Sequence, residues 1–166
     1  MKKMVFLLFI IVSIILINTN NKDLLIPNEA IRIRVIANSN SIEDQEKKTA
    51  IKNEISNYIN IKLVKVNNYS EAENVIKNNI SNIRNIVNKY ETKYTISFGD
   101  NYFPEKRYKG TKYNEGLYKS LVITLGEGEG NNFWCVLFPP LCLIDEKNTD
   151  KIDYKLYITK LLNNIK

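Results

Sequence analysis

Histidine is absent from the 166 residues. That removes Ser-His-Asp and Cys-His hydrolases, imidazole acid–base chemistry, and the usual histidine-containing zinc, copper and non-haem iron sites. Cysteine is nearly absent. Cys135 and Cys142 stand alone, too few for a four-cysteine zinc site or an iron–sulfur cluster within one chain. A large excess of one charge is missing too. The chain carries 24 basic and 18 acidic residues, formally +6, and beyond Ile17 the excess falls to +4. That is too mild and too evenly spread to predict nucleic-acid binding. Carboxylates, Lys, Tyr, Ser and Thr remain for chemistry. Nothing in their pattern calls for a cofactor, a metal or a small-molecule substrate. What is present suits one globular domain of ordinary size with a short appendage: 44% of residues are apolar and 25% charged.

The appendage is N-terminal. Met1-Lys2-Lys3 precedes an apolar run from Met4 to Ile17, broken only by Ser13. The run has the length of a signal-peptide core and falls short of the roughly 20 residues that span a bilayer comfortably. Basic residues at the start keep that end inside and send the rest outward. No small-x-small cleavage site follows Ile17. Residues 1–21 therefore read either as a signal peptide cut at an atypical site or as a signal anchor holding the chain to the membrane through residues 4–17. Residues 22–30 read as a linker and 31–166 as the exported domain.

Ile31-Arg32-Ile33-Arg34-Val35 alternates apolar and charged residues, which predicts a half-buried strand. Asn38 to Ser41 is a turn. Ser41 with Asp44 predicts a capping box, opening a helix with Ile51, Ile55, Tyr58 and Ile59 on one face. Residues 62–69 fit frayed helix or a short edge strand. Ser70 with Glu73 predicts a second box and one helix whose stripe runs Ala72, Ile76, Ile80, Ile83, Val87, Tyr90. Tyr94 to Phe98 alternates as a strand and stops at a turn, Gly99-Asp100-Asn101. Residues 103–116 look like loop, and Leu117 to Leu125 a strand. Gly126 to Asn132 is a flexible connection. Phe133 to Phe138 is an apolar strand ended by Pro139-Pro140, and Tyr154, Ile158, Leu161 and Ile165 mark a last helix. The order β-α-α-β-β-β-α predicts an α+β fold: a two-layer sandwich, with a mostly antiparallel sheet of about four strands and amphipathic helices on one face.

Three constellations carry any chemistry there is. Gly126-Glu127-Gly128-Glu129-Gly130 fails both phosphate-loop patterns: no Lys-Ser or Lys-Thr follows, and the sixth position from Gly126 is Asn131. A hairpin connection needing positive φ is the expected role. Glu127 with Glu129, or with Glu115, is a carboxylate pair of the kind a glycan hydrolase needs, on a poor platform for it. Cys135 and Cys142 lie too far apart for a disulfide on a straight strand, but Pro139-Pro140 allows the chain to fold back. A bridge and two buried free thiols both stay open. Residues 136–144 carry no charge. They read as a central strand running into a buried turn, or as an exposed apolar ledge. Arg32 and Arg34 are a solvated face or a polar contact surface.

Two blocks make the chain recognisable. Ile31-Arg32-Ile33-Arg34-Val35-Ile36-Ala37-Asn38-Ser39-Asn40-Ser41 with Glu43-Asp44-Gln45 resembles the opening of the stage II sporulation protein R family. So does the unusual run from Gly126-Glu127-Gly128-Glu129-Gly130-Asn131-Asn132 through Phe133-Trp134-Cys135 to Pro139-Pro140-Leu141-Cys142. Phe103-Pro104, the Tyr108 region and Gly116-Leu117-Tyr118 fit as well, so the resemblance runs from about Ile31 to Asp145. Asn40 stands where an Asp is commoner, and Phe133 where a second Trp is common. The resemblance implies a signalling protein of endospore-forming bacteria, made in the forespore and exported into the space between forespore and mother-cell membranes. There it would activate a membrane-embedded aspartic protease that removes the pro-sequence of the sigma-E precursor. It would be no enzyme itself. Arg32, Arg34, Asn38, Glu127, Glu129 and Trp134 are the candidate receptor contacts. An exported carboxylate-dependent cell-wall hydrolase and a membrane-anchored structural module are the alternatives.

Overall fold

The computed structural model describes residues 24–25, 29–108 and 111–142. Its elements in chain order are β1 (Leu24–Leu25), β2 (Ile31–Ile36), α1 (Ile42–Leu63), α2 (Tyr69–Asn78), α3 (Ile80–Val87), β3 (Tyr94–Phe103), β4 (Lys106–Tyr108), β5 (Thr111–Tyr113), β6 (Gly116–Leu125) and β7 (Asn132–Phe138). Four strands form one sheet in the order β3-β6-β2-β7, and three short ones a second in the order β1-β5-β4. The fold is α+β, as the element pattern predicts. The apolar run at 4–17 and the predicted last helix lie outside the described residues. Within the 22–30 stretch read as linker, β1 pairs in parallel with β5.

The larger sheet is mixed. β3–β6 and β2–β7 are antiparallel, but the central pair, β2–β6, is parallel. Alternation sorts its side chains between two faces. Ile31, Ile33 and Val35 of β2 join Leu121, Ile123 and Leu125 of β6 in the main core. That face receives the helices through Ile51, Ile55, Ile59 and Leu63 of α1, Ala72 and Ile76 of α2, and Ile83 and Val87 of α3.

Two boundaries differ from expectation in the strands. Gly99-Asp100-Asn101 is no turn: β3 runs through it, paired with β6 from Tyr94↔Leu125 to Phe103↔Gly116. Gly99 is not among the positive-φ glycines, and the ladder is reinforced where it was expected to stop. Asp100 pairs with Lys119 at 3.0 Å, and Asn101 donates to the Ser120 hydroxyl at 2.9 Å. The stretch read as loop between 103 and 116 contains β4 and β5, which pair with each other.

Among the helices, α1 starts at Ser41 as expected, whose hydroxyl accepts from the Asp44 N–H at 3.2 Å. Its buried face also takes in Ser56 and Asn60, which apolar periodicity does not indicate. The second helix is two. Its cap is Asn68, accepting from the Glu71 N–H at 2.9 Å, not Ser70. It breaks at Asn79, whose side-chain oxygen accepts from the Tyr58 hydroxyl at 2.6 Å while its amide donates to the Val75 carbonyl at 2.7 Å. Asn favours such side-chain-to-backbone bonds over helix interior. The predicted stripe survives, because α2 and α3 turn the same face inward.

Candidate functional site

The two unusual sequence blocks meet in space. β6 and β7 are not neighbours; β2 lies between them. Residues 126–131 are therefore no hairpin. They cross the C-terminal end of β2 and meet the turn that leads from it into α1. There they are pinned along their length. The N–H of Glu129 donates to the Asn38 carbonyl at 3.0 Å and that of Gly130 to the Ala37 carbonyl at 2.9 Å. The Glu127 N–H donates to Asn38 Oδ1 at 3.0 Å, and the Asn131 N–H to Asn40 Oδ1 at 2.8 Å. The other end of the Asn38 amide donates to Asp44 Oδ2 at 2.9 Å, and the Ser39 hydroxyl to the same oxygen at 2.6 Å. Those bonds, Ser39 first and then Asn38, hold the Asp44 carboxyl below its usual range. The expected reciprocal bond of a capping box is absent, since Ser41 N–H goes to the Ser39 hydroxyl at 3.1 Å.

The glycines follow from this crossing. Gly126 takes φ +54°, and a Cβ there would strike the Asn38 side chain. At Gly130 a Cβ would strike the Ser39 carbonyl. Both positions need glycine for close approach of backbone to neighbour. Positive φ was expected; flexibility was expected too, and the bonds to Ala37, Asn38 and Asn40 replace it with a fixed crossing. Glu127 is exposed and ion-paired with Lys93, which lowers its pKa. A catalytic acid needs the opposite shift. Gly128 has φ +71°, so the extended-chain spacing of Glu127 and Glu129 does not apply. Glu115 accepts from the Tyr102 hydroxyl at 2.9 Å. Glu129 is exposed.

The sheet face away from the helices holds the two arginines. Arg32 is 3% exposed. Its guanidinium lies over the rings of Phe103 and Tyr118, 4.4 and 4.6 Å from their centroids, with Tyr113 at 5.6 Å. Arg34 lies over Trp134 at 4.4 Å, and Trp134 meets Phe103 edge-on at 5.1 Å. The solvated-face reading does not describe Arg32, which is buried. A partner reaches it only past these rings, whereas Arg34 and Trp134 are half-buried. Arg32 Nε and Nη1 and Arg34 Nε are buried without a hydrogen-bond partner. Burial pulls both guanidiniums down from their ordinary pKa, though an arginine keeps its charge.

β7 is an edge strand, not a central one, but the buried reading of its far end holds. Val136, Leu137, Phe138 and Leu141 are at most 2% exposed, so among the described residues of this stretch no apolar ledge is offered; Leu143 and Ile144 lie outside them. The chain turns back at Pro139, the Leu141 N–H donates to the Val136 carbonyl at 3.2 Å, and Cys135 is bonded to Cys142 with their Cα atoms 5.6 Å apart. Among the described residues no cluster of three or more Cys, Asp or Glu is placed to hold a metal. No helix there is long and apolar enough to cross a membrane.

The sequence that builds this arrangement matches a known family. The family model for stage II sporulation protein R matches residues 27–148. The chain belongs to that family. Stage II sporulation protein R of Bacillus subtilis (strain 168) is 34% identical over 140 residues, 81% of this chain, and the chain spans 62% of that relative's length. No solved structure matches. The family is one of sporulation proteins. The family match takes in both interlocked blocks, from β2 to the Cys135–Cys142 loop.

Sequence reasoning singled out Asn38, Glu127, Glu129, Arg32, Arg34 and Trp134 without their arrangement. The structure brings Asn38 and the Glu127–Glu129 segment together and places Arg32, Arg34 and Trp134 on a separate face. It adds Ser39, Asn40 and Asp44 to the first group, and Phe103, Tyr113 and Tyr118 to the second. One signal for the second group was available. The segments of the four strands hold three basic residues and a single acid, Asp100.

Proposed function

We propose that this chain is an exported forespore signal that activates the mother-cell membrane aspartic protease processing the sigma-E precursor. On this reading it acts in the space between the two membranes, takes no cofactor and is not itself an enzyme. The observation that carries the reading is family membership across residues 27–148, joined to the basic start and apolar run of the N-terminus. A ligand activates a receptor only by binding its active arrangement more tightly than its inactive one. That demands a surface of fixed shape. The pinned crossing at Asn38 supplies one, displaying Glu127 and Glu129 on backbone that hydrogen bonds hold in place. The half-buried Arg34 and Trp134 supply another.

The test is a processing assay in a non-sporulating host that expresses the sigma-E precursor and its membrane protease, with and without this chain. Loss of the pro-sequence on a blot, dependent on the chain and on residues 1–21, is expected. No processing with the chain shown to be folded and exported would overturn the proposal. A Glu127→Lys, Glu129→Lys variant that is folded, exported and still fully active would remove the crossing loop from the contact surface and leave the other face.

A further inference from the structure

We propose that the sheet face bearing Arg32, Arg34 and Trp134 is a docking site for an acidic, extended protein segment of the partner. This rests on the reading above that the chain works by binding a receptor, and it names the chemistry the receptor must present. The argument is one of uncompensated charge. Asp100, the lone acid of the four strands, faces the helices, where it pairs with Lys119 at 3.0 Å. Lys119 in turn lies 4.0 Å from Glu73 of α2. The strands' helix face is thus balanced. The opposite face carries two guanidiniums and, from the strands, no carboxylate. Arg32 and Arg34 are two residues apart on one strand, so their side chains leave the same face roughly 7 Å apart.

Aromatic rings take the flat faces of these guanidiniums, and Arg32 Nε and Nη1 and Arg34 Nε are buried with no acceptor. Only the half-buried Arg34 has an outer side that a partner can reach. A planar fork of donors held over a ring is the arrangement that receives a carboxylate edge-on. Arg34 is the contact, because it is half-buried beside the half-buried Trp134. Arg32 is held beneath the rings and adds a second positive charge within a Debye length, in surroundings that screen it little. An Asp or Glu side chain on an extended segment lying along this face would meet Arg34 while its neighbours stack on Trp134.

Trp134 is the sole tryptophan of the chain, so its fluorescence reports on this site alone. The full chain in a non-ionic detergent is titrated with acetylated, amidated hexaglutamate, and with hexaglutamine as the neutral control. A saturable fluorescence change with hexaglutamate only is expected. It should weaken at least about tenfold in Arg34→Gln, and on raising salt from about 50 to about 500 mM. Arg34→Lys, which keeps the charge but loses the planar fork, should fall between. Thermal melts of both variants verify that they fold. No saturable change, an equal response to hexaglutamine, or undiminished binding by a folded Arg34→Gln would overturn the proposal. The two readings fail separately. Processing that depends on the chain but survives Arg34→Gln unchanged removes this site and keeps the signalling role. Acid binding with no processing keeps the site and removes the role.

Discussion

Ile33 and Arg32 are neighbours on β2, almost equally hidden from solvent, and held by opposite means. Ile33, 0% exposed, sits among aliphatic side chains of β6 and the helices. Nothing about that contact is directional, and removing atoms costs transfer energy plus a cavity. Arg32, 3% exposed, keeps its charge against three rings with part of its donor set unmet. A cation over aromatic faces recovers only a fraction of what desolvation takes away. The helix face is therefore built for stability. The opposite face leaves part of its hydrogen-bonding capacity unused among the described residues.

The largest effect comes from the helix face. Ile33→Ala is expected to lower the unfolding free energy by about 3 kcal/mol, read by urea denaturation. A loss under about 1 kcal/mol would mean that this face is far looser than its burial indicates.

On the opposite face the sign should change. Arg32→Met keeps a long apolar stem against Phe103 and Tyr118 and removes a buried cation with part of its donor set unmet. It is expected to raise stability by about 1 kcal/mol, read by thermal unfolding. A clear loss instead would show that the ring contacts outweigh desolvation and that the two faces serve folding alike.

The smallest effect sharpens the contrast through pH. Asp44 is a carboxyl whose folded pKa lies below its unfolded value of about 3.9. Its contribution is full above that unfolded value and is lost as pH falls through the lower folded one. Asp44→Asn should make the fall in stability between about pH 5 and pH 2 shallower, in urea unfolding at a series of pH values. Ile33→Ala should leave that slope unchanged, since Ile33 lies in the hydrophobic core cluster, none of whose described members is a carboxylate. Equal slopes in wild type and Asp44→Asn would mean that the Ser39 and Asn38 bonds do not set this carboxyl.

Much of this was legible along the chain, and the limit lies at sequence distance. Alternation in residues 31–35 and the 3.6-residue stripe from Ala72 to Val87 predict which side chains face the core, because periodicity is a local property of backbone geometry. The same local signals misplace Gly99-Asp100-Asn101. A glycine beside two turn-forming residues stays in a strand when Lys119 and Ser120 of β6 bond its neighbours. They also miss the break at Asn79, which answers to Tyr58, 21 residues away.

The sequence by itself determined the α+β class, the apolar faces of the main strands and helices, and the family. These depend on side-chain type and spacing alone. Only the tertiary structure decided that β2 lies between β6 and β7. From that order follow the crossing at Asn38, the joining of two blocks some 90 residues apart, and the placing of Arg32 and Arg34 among aromatic rings from β3, β5, β6 and β7. Strand order is set by the sum of many weak long-range contacts, and no single stretch of chain carries it.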